Sequence, residues 1–137
     1  MNMKPIFISG SASIHELTPA MIAALDKVIE KKIPVLIGDC HGVDSMVQRY
    51  FHDNGYHDVT VYYVDCFPRC YFREFKKMDC NQYVTNEKGR DFYAVKDIKM
   101  TEDCHGALMF WDGKSQGTKN NIERCKQLDK IYKVISE

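Results

Sequence analysis

Three glycine-bearing stretches carry the residue types that could do chemistry in this chain: Ser9-Gly10-Ser11-Ala12-Ser13, Gly38-Asp39-Cys40-His41-Gly42-Val43-Asp44 and Asp112-Gly113-Lys114-Ser115-Gln116-Gly117-Thr118. Each follows a short apolar run and leads toward a stretch with helical spacing. A junction of that kind aims unpaired backbone N–H groups and the positive end of a helix dipole at one point, which suits a phosphate or another anion. Gly117 and Thr118 would present N–H groups, and the Ser115 and Thr118 hydroxyls would add donors. Asp44 follows Gly42 at the expected helix start. It can hold the loop by accepting backbone N–H groups and complementing the dipole, or it can bind a ribose hydroxyl. His41 is either a ligand contact or an ordinary loop histidine. Arg69, Arg73 and Arg90 are candidates to clamp a phosphate bidentately, with solvated surface positions expected for two of the three. Trp111 would either stack on a base or close the end of the core. None of the spacings is a GxGxxG dinucleotide fingerprint or a P-loop.

The elements that must position these groups are short apolar runs alternating with helical periodicity, the pattern of parallel strands linked by helices. Ile6-Phe7-Ile8, Val35-Leu36-Ile37, Val59 to Val64, Ala107 to Trp111 and Ile131 to Ile135 read as strands. Thr18 as N-cap with Pro19 in the first turn starts a helix carrying Ile22, Leu25, Val28 and Ile29 inward. A second helix turns Val43, Val47, Tyr50 and Phe51 to the core and ends at Asn54-Gly55. Asp91 to Cys104 reads as a third, with Ala94, Ile98 and Thr101 on one side. The fourth follows Gly117-Thr118 and buries Ile122, Cys125 and Leu128. The expected fold is α/β: a small, doubly wound, Rossmann-like three-layer sandwich around a mostly parallel five-stranded sheet. In such a sheet, ligands bind beyond the carboxyl ends of the strands where strand order reverses, so the three glycine loops would share one crevice. Residues 65–90, rich in aromatic and basic side chains, are too long for a tight connection and read as a variable insert or lid.

The chain has 137 residues and is 45% hydrophobic, enough for one domain with a real core. Lys plus Arg and Asp plus Glu both total 19, which leaves no broad basic face and argues against a nucleic-acid partner. No apolar run approaches a membrane span or an export signal, so a cytoplasmic protein without membrane partners is expected. The six cysteines are then reduced and mostly act as small buried hydrophobes. Cys66, Cys70 and Cys80 with His57 form the closest approach to a zinc set, but their spacing matches no paired-knuckle pattern, and no metal is expected.

Ile8-Ser9-Gly10-Ser11, Gly38 to Asp44 and Phe110 to Thr118 together resemble the SLOG superfamily, near its YspA/YpsA-type members, related to the LOG phosphoribohydrolases and to DprA. The resemblance covers most of residues 1–137 except 65–90, and the last motif is its most specific part. It implies a Rossmann-like pocket for nucleotides or nucleotide-derived ligands, including NAD- or ADP-ribose-like molecules, with Gly10, Ser11, Gly38, Asp39, Gly42, Val43, Asp44, Gly113, Ser115, Gly117 and Thr118 as ligand-binding residues. Lys96 and Met100 keep part of an R/K-x3-M spacing of that family, which implies a ligand-facing cation at Lys96. Related domains often dimerise, which leaves a homodimer open.

The chain departs from the hydrolytic branch of that family. The glutamate of its PGGxGTxxE loop is replaced by Asn121, which cannot act as an acid, a base or a carboxylate partner of an oxocarbenium ion. Glu123 falls on another side of the helix, and Trp111 and Asp112 replace the proline and first glycine. The expected function is therefore binding or sensing of a nucleotide-type ligand, without an assigned catalytic residue. The alternative is a nucleotide N-glycosidic bond hydrolase using Asp39, Asp44 or Asp112 in place of the glutamate. A third reading makes the crevice vestigial in an interaction protein.

Overall fold

The apolar runs form the centre of a parallel sheet because their side chains are buried on both faces, as a sheet covered by helices requires. The computed structural model describes residues 4–65 and 67–137. The strands are β1 (Ile6–Gly10), β2 (Val35–Ile37), β3 (Val59–Tyr63), β4 (Lys76–Asp79), β5 (Gly106–Trp111) and β6 (Ile131–Ser136). They form one six-stranded sheet in the order β4-β3-β2-β1-β5-β6, and every pairing is parallel. The helices are α1 (Pro19–Glu30), α2 (Val43–Asp53), α3 (Arg90–Asp103) and α4 (Gln116–Gln127).

Alternation along the strands divides the core into two layers. Ile8, Val35, Ile37, Val61 and Phe110 pack with the buried stripes of α1 and α2. Phe7, Leu36, Tyr62, Ala107 and Met109 pack with Val95 and Met100 of α3 and Ile122 and Cys125 of α4. The chain winds from β1 outward to β4, then crosses back to lay β5 on the other side of β1. The reversal lies between β1 and β5, and it separates the loops that leave their carboxyl ends.

The local chemistry of the helix ends follows expectation in part. Thr18 Oγ1 accepts the Met21 N–H at 3.4 Å, with Pro19 in the first turn of α1. Gly55, with φ of +67°, supplies the left-handed residue after α2. Three details differ. The sheet has six strands rather than five, because Lys76-Lys77-Met78-Asp79 pairs with β3. Its mostly polar, solvent-facing residues give no apolar run to read. Ile98 and Leu128 are exposed, and the buried stripe of α3 is Val95, Lys96, Met100 and Thr101. Finally, α4 begins at Gln116, so Gly117 and Thr118 already lie in its first turn.

Residues 65–90 are neither a simple loop nor a single lid. No helix links β3 to β4 among the described residues; instead Phe75 enters the core and Tyr71 and Phe72 pack against it. A short 3-10 turn at Asn81–Tyr83 follows β4. Among the described residues, no helix is long and apolar enough to cross a membrane.

Candidate functional site

A cleft of about 340 Å³ opens at the carboxyl ends of β1, β2 and β5, on the reversal of strand order. Its walls come from the loop after β1, the N-termini of α2 and α4, and the inner face of α3.

The β5–α4 wall is tied to β1 through Ser11. The Ser11 N–H donates to the Phe110 carbonyl at 2.9 Å, continuing the β1–β5 ladder past its end. Its Oγ accepts the Asp112 N–H at 3.1 Å and lies 2.7 Å from Ser115 Oγ. Asp112 then folds the loop over itself, accepting the Lys114 and Ser115 N–H groups at 2.8 and 2.7 Å and the Ser13 hydroxyl. The Ser13 hydroxyl and the Ser115 and Lys114 N–H groups hold the Asp112 carboxyl well below its usual range. Trp111 is part of this scaffold, since its indole N–H donates to the Ser115 carbonyl at 3.1 Å.

The consequence is an open helix end. Ser115 is the N-cap residue of α4, but its hydroxyl is turned to Ser11 and makes no capping bond. The first turn closes with Lys119 N–H to Ser115 O, leaving the N–H groups of Gln116, Gly117 and Thr118 without an acceptor among the described residues. Thr118 as a whole is 3% exposed, and its hydroxyl has no hydrogen-bond partner among the described residues. All three residues line the cleft.

The β2–α2 wall is built differently. A Cβ at Gly38 would lie 2.7 Å from Asp44 Oδ2 and 3.0 Å from Lys96 Nζ, so the glycine makes room for these two groups. One at Gly10 would lie 2.4 Å from Val43 Cγ1, so that glycine lets α2 pack on β1. Asp44 Oδ2 accepts the Cys40 N–H at 3.1 Å. Burial pushes its carboxyl up to about 7, against the pull of Lys96 and with repulsion from Asp97 in the same direction. Gln48 braces the loop from below, its Nε2 donating to the Gly38 and Cys70 carbonyls at 3.0 and 3.1 Å.

The inner wall is α3. Lys96 is 3% exposed, with Nζ 2.8 Å from Asp97 Oδ1. Burial opposes its charge, but Asp97, Cys40 and Asp44 outweigh that opposition and hold its pKa above the ordinary lysine value. Asp97 Oδ2 also receives Asn121 Nδ2 at 3.4 Å. Asn121 is 1% exposed; its Nδ2 donates to Ser9 Oγ at 3.0 Å and its Oδ1 accepts from Arg124 at 2.6 Å. Arg124 thereby fixes the amide with its donor toward Ser9 and Asp97.

Of the residues expected to bind ligand, Gly10, Ser11, Gly38, Asp44, Ser115, Gly117 and Thr118 line this cleft, together with His41, Lys96 and Arg90. Asp39, Gly42, Val43 and Gly113 do not. Asp39 is turned into Arg69, which approaches it with its backbone N–H and Nη2, both at 2.8 Å, while the guanidinium stacks over Tyr93. Gly42 abuts Ala12, and Val43 packs on Gly10. Gly113 is exposed at φ of +81°. Arg73 is exposed and outside the cleft. Sequence reasoning missed Asp97, which becomes a cleft group only because α3 and α4 bring Lys96 and Asn121 to it; its place beside Lys96 is the one signal available. Cys66 lies outside the described residues, and among those residues no group of three or more His, Cys, Asp or Glu is arranged to hold a metal.

No protein-family model matches the chain, and none of the curated proteins compared with it matches.

Proposed function

We propose that the cleft binds a nucleotide or nucleotide-derived ligand of the NAD or ADP-ribose kind, as the resemblance to the SLOG superfamily implies, and that the protein acts as a binding or sensing module. The observation that carries this reading is the open end of α4: three backbone N–H groups and the Thr118 hydroxyl, which has no partner among the described residues, on one cleft. A phosphate placed there meets the positive end of the helix dipole, with the exposed Arg90 available from the opposite wall. Farther in, Asp44 and Asp97 are acceptors for ribose hydroxyls, while Lys96 keeps the pair from being a bare negative well. The ligand is a small molecule rather than a nucleic acid, in a cytoplasmic protein, and its occupancy would be read by a partner or a second copy of the chain.

A thermal-shift panel of nucleoside monophosphates, NAD and ADP-ribose tests this, because a ligand held only by the folded state raises the melting temperature. A rise with at least one member is expected. No rise with any of them at millimolar concentration would leave the vestigial reading ahead.

One observation favours a second reading, in which the cleft hydrolyses a nucleotide N-glycosidic bond. Asp97 brings a carboxylate to Asn121, the position at which the resembling hydrolases carry glutamate. Asp39 is committed to Arg69 and Asp112 to its own loop, which leaves Asp97 and Asp44 as the aspartates for this role. Release of free base from a nucleoside monophosphate, abolished by Asp97→Asn, would replace the sensing reading with this one.

A further inference from the structure

The deepest part of the cleft holds more negative charge than positive. Asp44 Oδ2 and Lys96 Nζ flank the same point above Gly38 without an ion pair between them, and the Lys96 ammonium is paired with Asp97. With both carboxyls ionised, this row of two carboxylates and one ammonium carries a net negative charge. The other groups around Asp44 do not cancel it. On the β2–α2 loop, Asp39 is neutralised by Arg69 from the β3–β4 segment. Cys40 on that loop and Cys70 on that segment have thiol pKa values raised by burial, so both are neutral near pH 7. His41 and Arg90 are exposed at the rim.

An anionic ligand seated on the open end of α4 shares this cleft with that row. Repulsion between them is relieved most cheaply if one carboxyl takes up a proton. Asp97 is the poorer acceptor, because it has both the Lys96 ammonium and the Asn121 amide as donors. Asp44 has one backbone donor and is buried.

We propose that capture of an anionic ligand in this cleft is coupled to uptake of a proton by Asp44, so that the site binds more tightly as pH falls. The inference rests on the nucleotide reading above and adds its regulation. Burial already pushes the Asp44 carboxyl up to about 7 in the unliganded protein, so the proton is available near neutrality. A ligand phosphate nearby raises it further, and linkage makes the affinity fall as the carboxyl ionises.

ADP-ribose is the suitable probe, because its diphosphate does not titrate near neutral pH and the pH dependence then belongs to the protein. Calorimetric titration at about pH 7.5, repeated in buffers of different ionisation enthalpy, is expected to show net uptake of a fraction of a proton approaching one per ligand bound. Affinity should weaken toward about tenfold per pH unit above neutrality. Asp44→Asn should bind with little pH dependence and no proton uptake, whereas His41→Gln, whatever it does to the affinity, should keep the proton uptake. The wild-type calorimetry stands even if the Asp44 variant fails to fold. Binding without proton uptake, or coupling lost in His41→Gln but kept in Asp44→Asn, overturns the proposal and leaves the nucleotide reading intact. Absence of binding by ADP-ribose and by every member of the thermal-shift panel, at both about pH 6 and about pH 8, overturns both.

Discussion

The β2–α2 and β5–α4 junctions have the same plan, a strand, a glycine loop and a helix N-terminus, but they use it in opposite ways. At β2–α2, glycine gives way to protein groups: Gly38 sits beneath Asp44 and Lys96, and Gly10 at the end of the neighbouring β1 accommodates Val43. At β5–α4, a Cβ on Gly117 would meet nothing within 4 Å. Neither helix end has a side-chain cap, so the difference lies in the space beside the glycines: protein groups fill it at the first junction and leave it open at the second. Glycine at a strand end is therefore evidence of close approach, and only the structure tells whether the approaching group is the protein or a ligand.

The largest way to break this contrast is Gly10→Ala. It places a methyl within 2.7 Å of the buried, branched Val43 side chain, and a loss of about 3 kcal/mol or failure to fold is expected in chemical denaturation, whereas Gly38→Ala meets only the movable ends of Asp44 and Lys96 and should cost less. Asp44→Asn comes next, and its sign depends on pH. The folded-state pKa of Asp44 is raised from 3.8 to about 7, so between about pH 4 and pH 7 the folded chain binds more protons than the unfolded one. Its stability therefore falls as pH rises through that window. The variant should melt higher than wild type at about pH 8, by roughly 1–2 kcal/mol of stability, and the advantage should vanish near pH 4. A variant that melts lower at pH 8 would mean that Asp44 is net stabilising as an anion through Lys96. Ser11→Ala removes the link from β1 to Asp112 and Ser115 and should cost about 1 kcal/mol, read as a lower melting temperature. Gly117→Ala should change stability least, within about 0.5 kcal/mol, while weakening any ligand that approaches the α4 amides.

Much of this contrast could not be read from residue types. The central strands and helix stripes were legible because burial on one or both faces leaves apolar runs and helical spacing, as in Ile6 to Ile8 or Val43, Val47 and Phe51. β4 was hidden because an edge strand facing solvent needs no apolar residues: Lys76 and Lys77 satisfy its backbone pairing while discouraging further strands. The phase of α3 was misjudged at Ile98 because the helix buries Lys96 instead, a charged residue stabilised there by Asp97 rather than by apolar contact. Within the site, the loops were visible as glycine motifs, and most of their cleft-lining residues were identified. Asp97 was invisible because its role comes from a tertiary meeting of α3 with Asn121 on α4. Asp39 carried the same signal as Asp44, yet Arg69, thirty residues later in the chain, takes it out of the cleft.

The most direct measurement is an amide-resolved NMR titration of the protein with ADP-ribose. The account expects the largest shifts at the Gln116, Gly117 and Thr118 amides, with smaller changes at Asp44 and none at the solvent face of α1. Saturable shifts centred on another surface, with the three α4 amides unmoved, would contradict it.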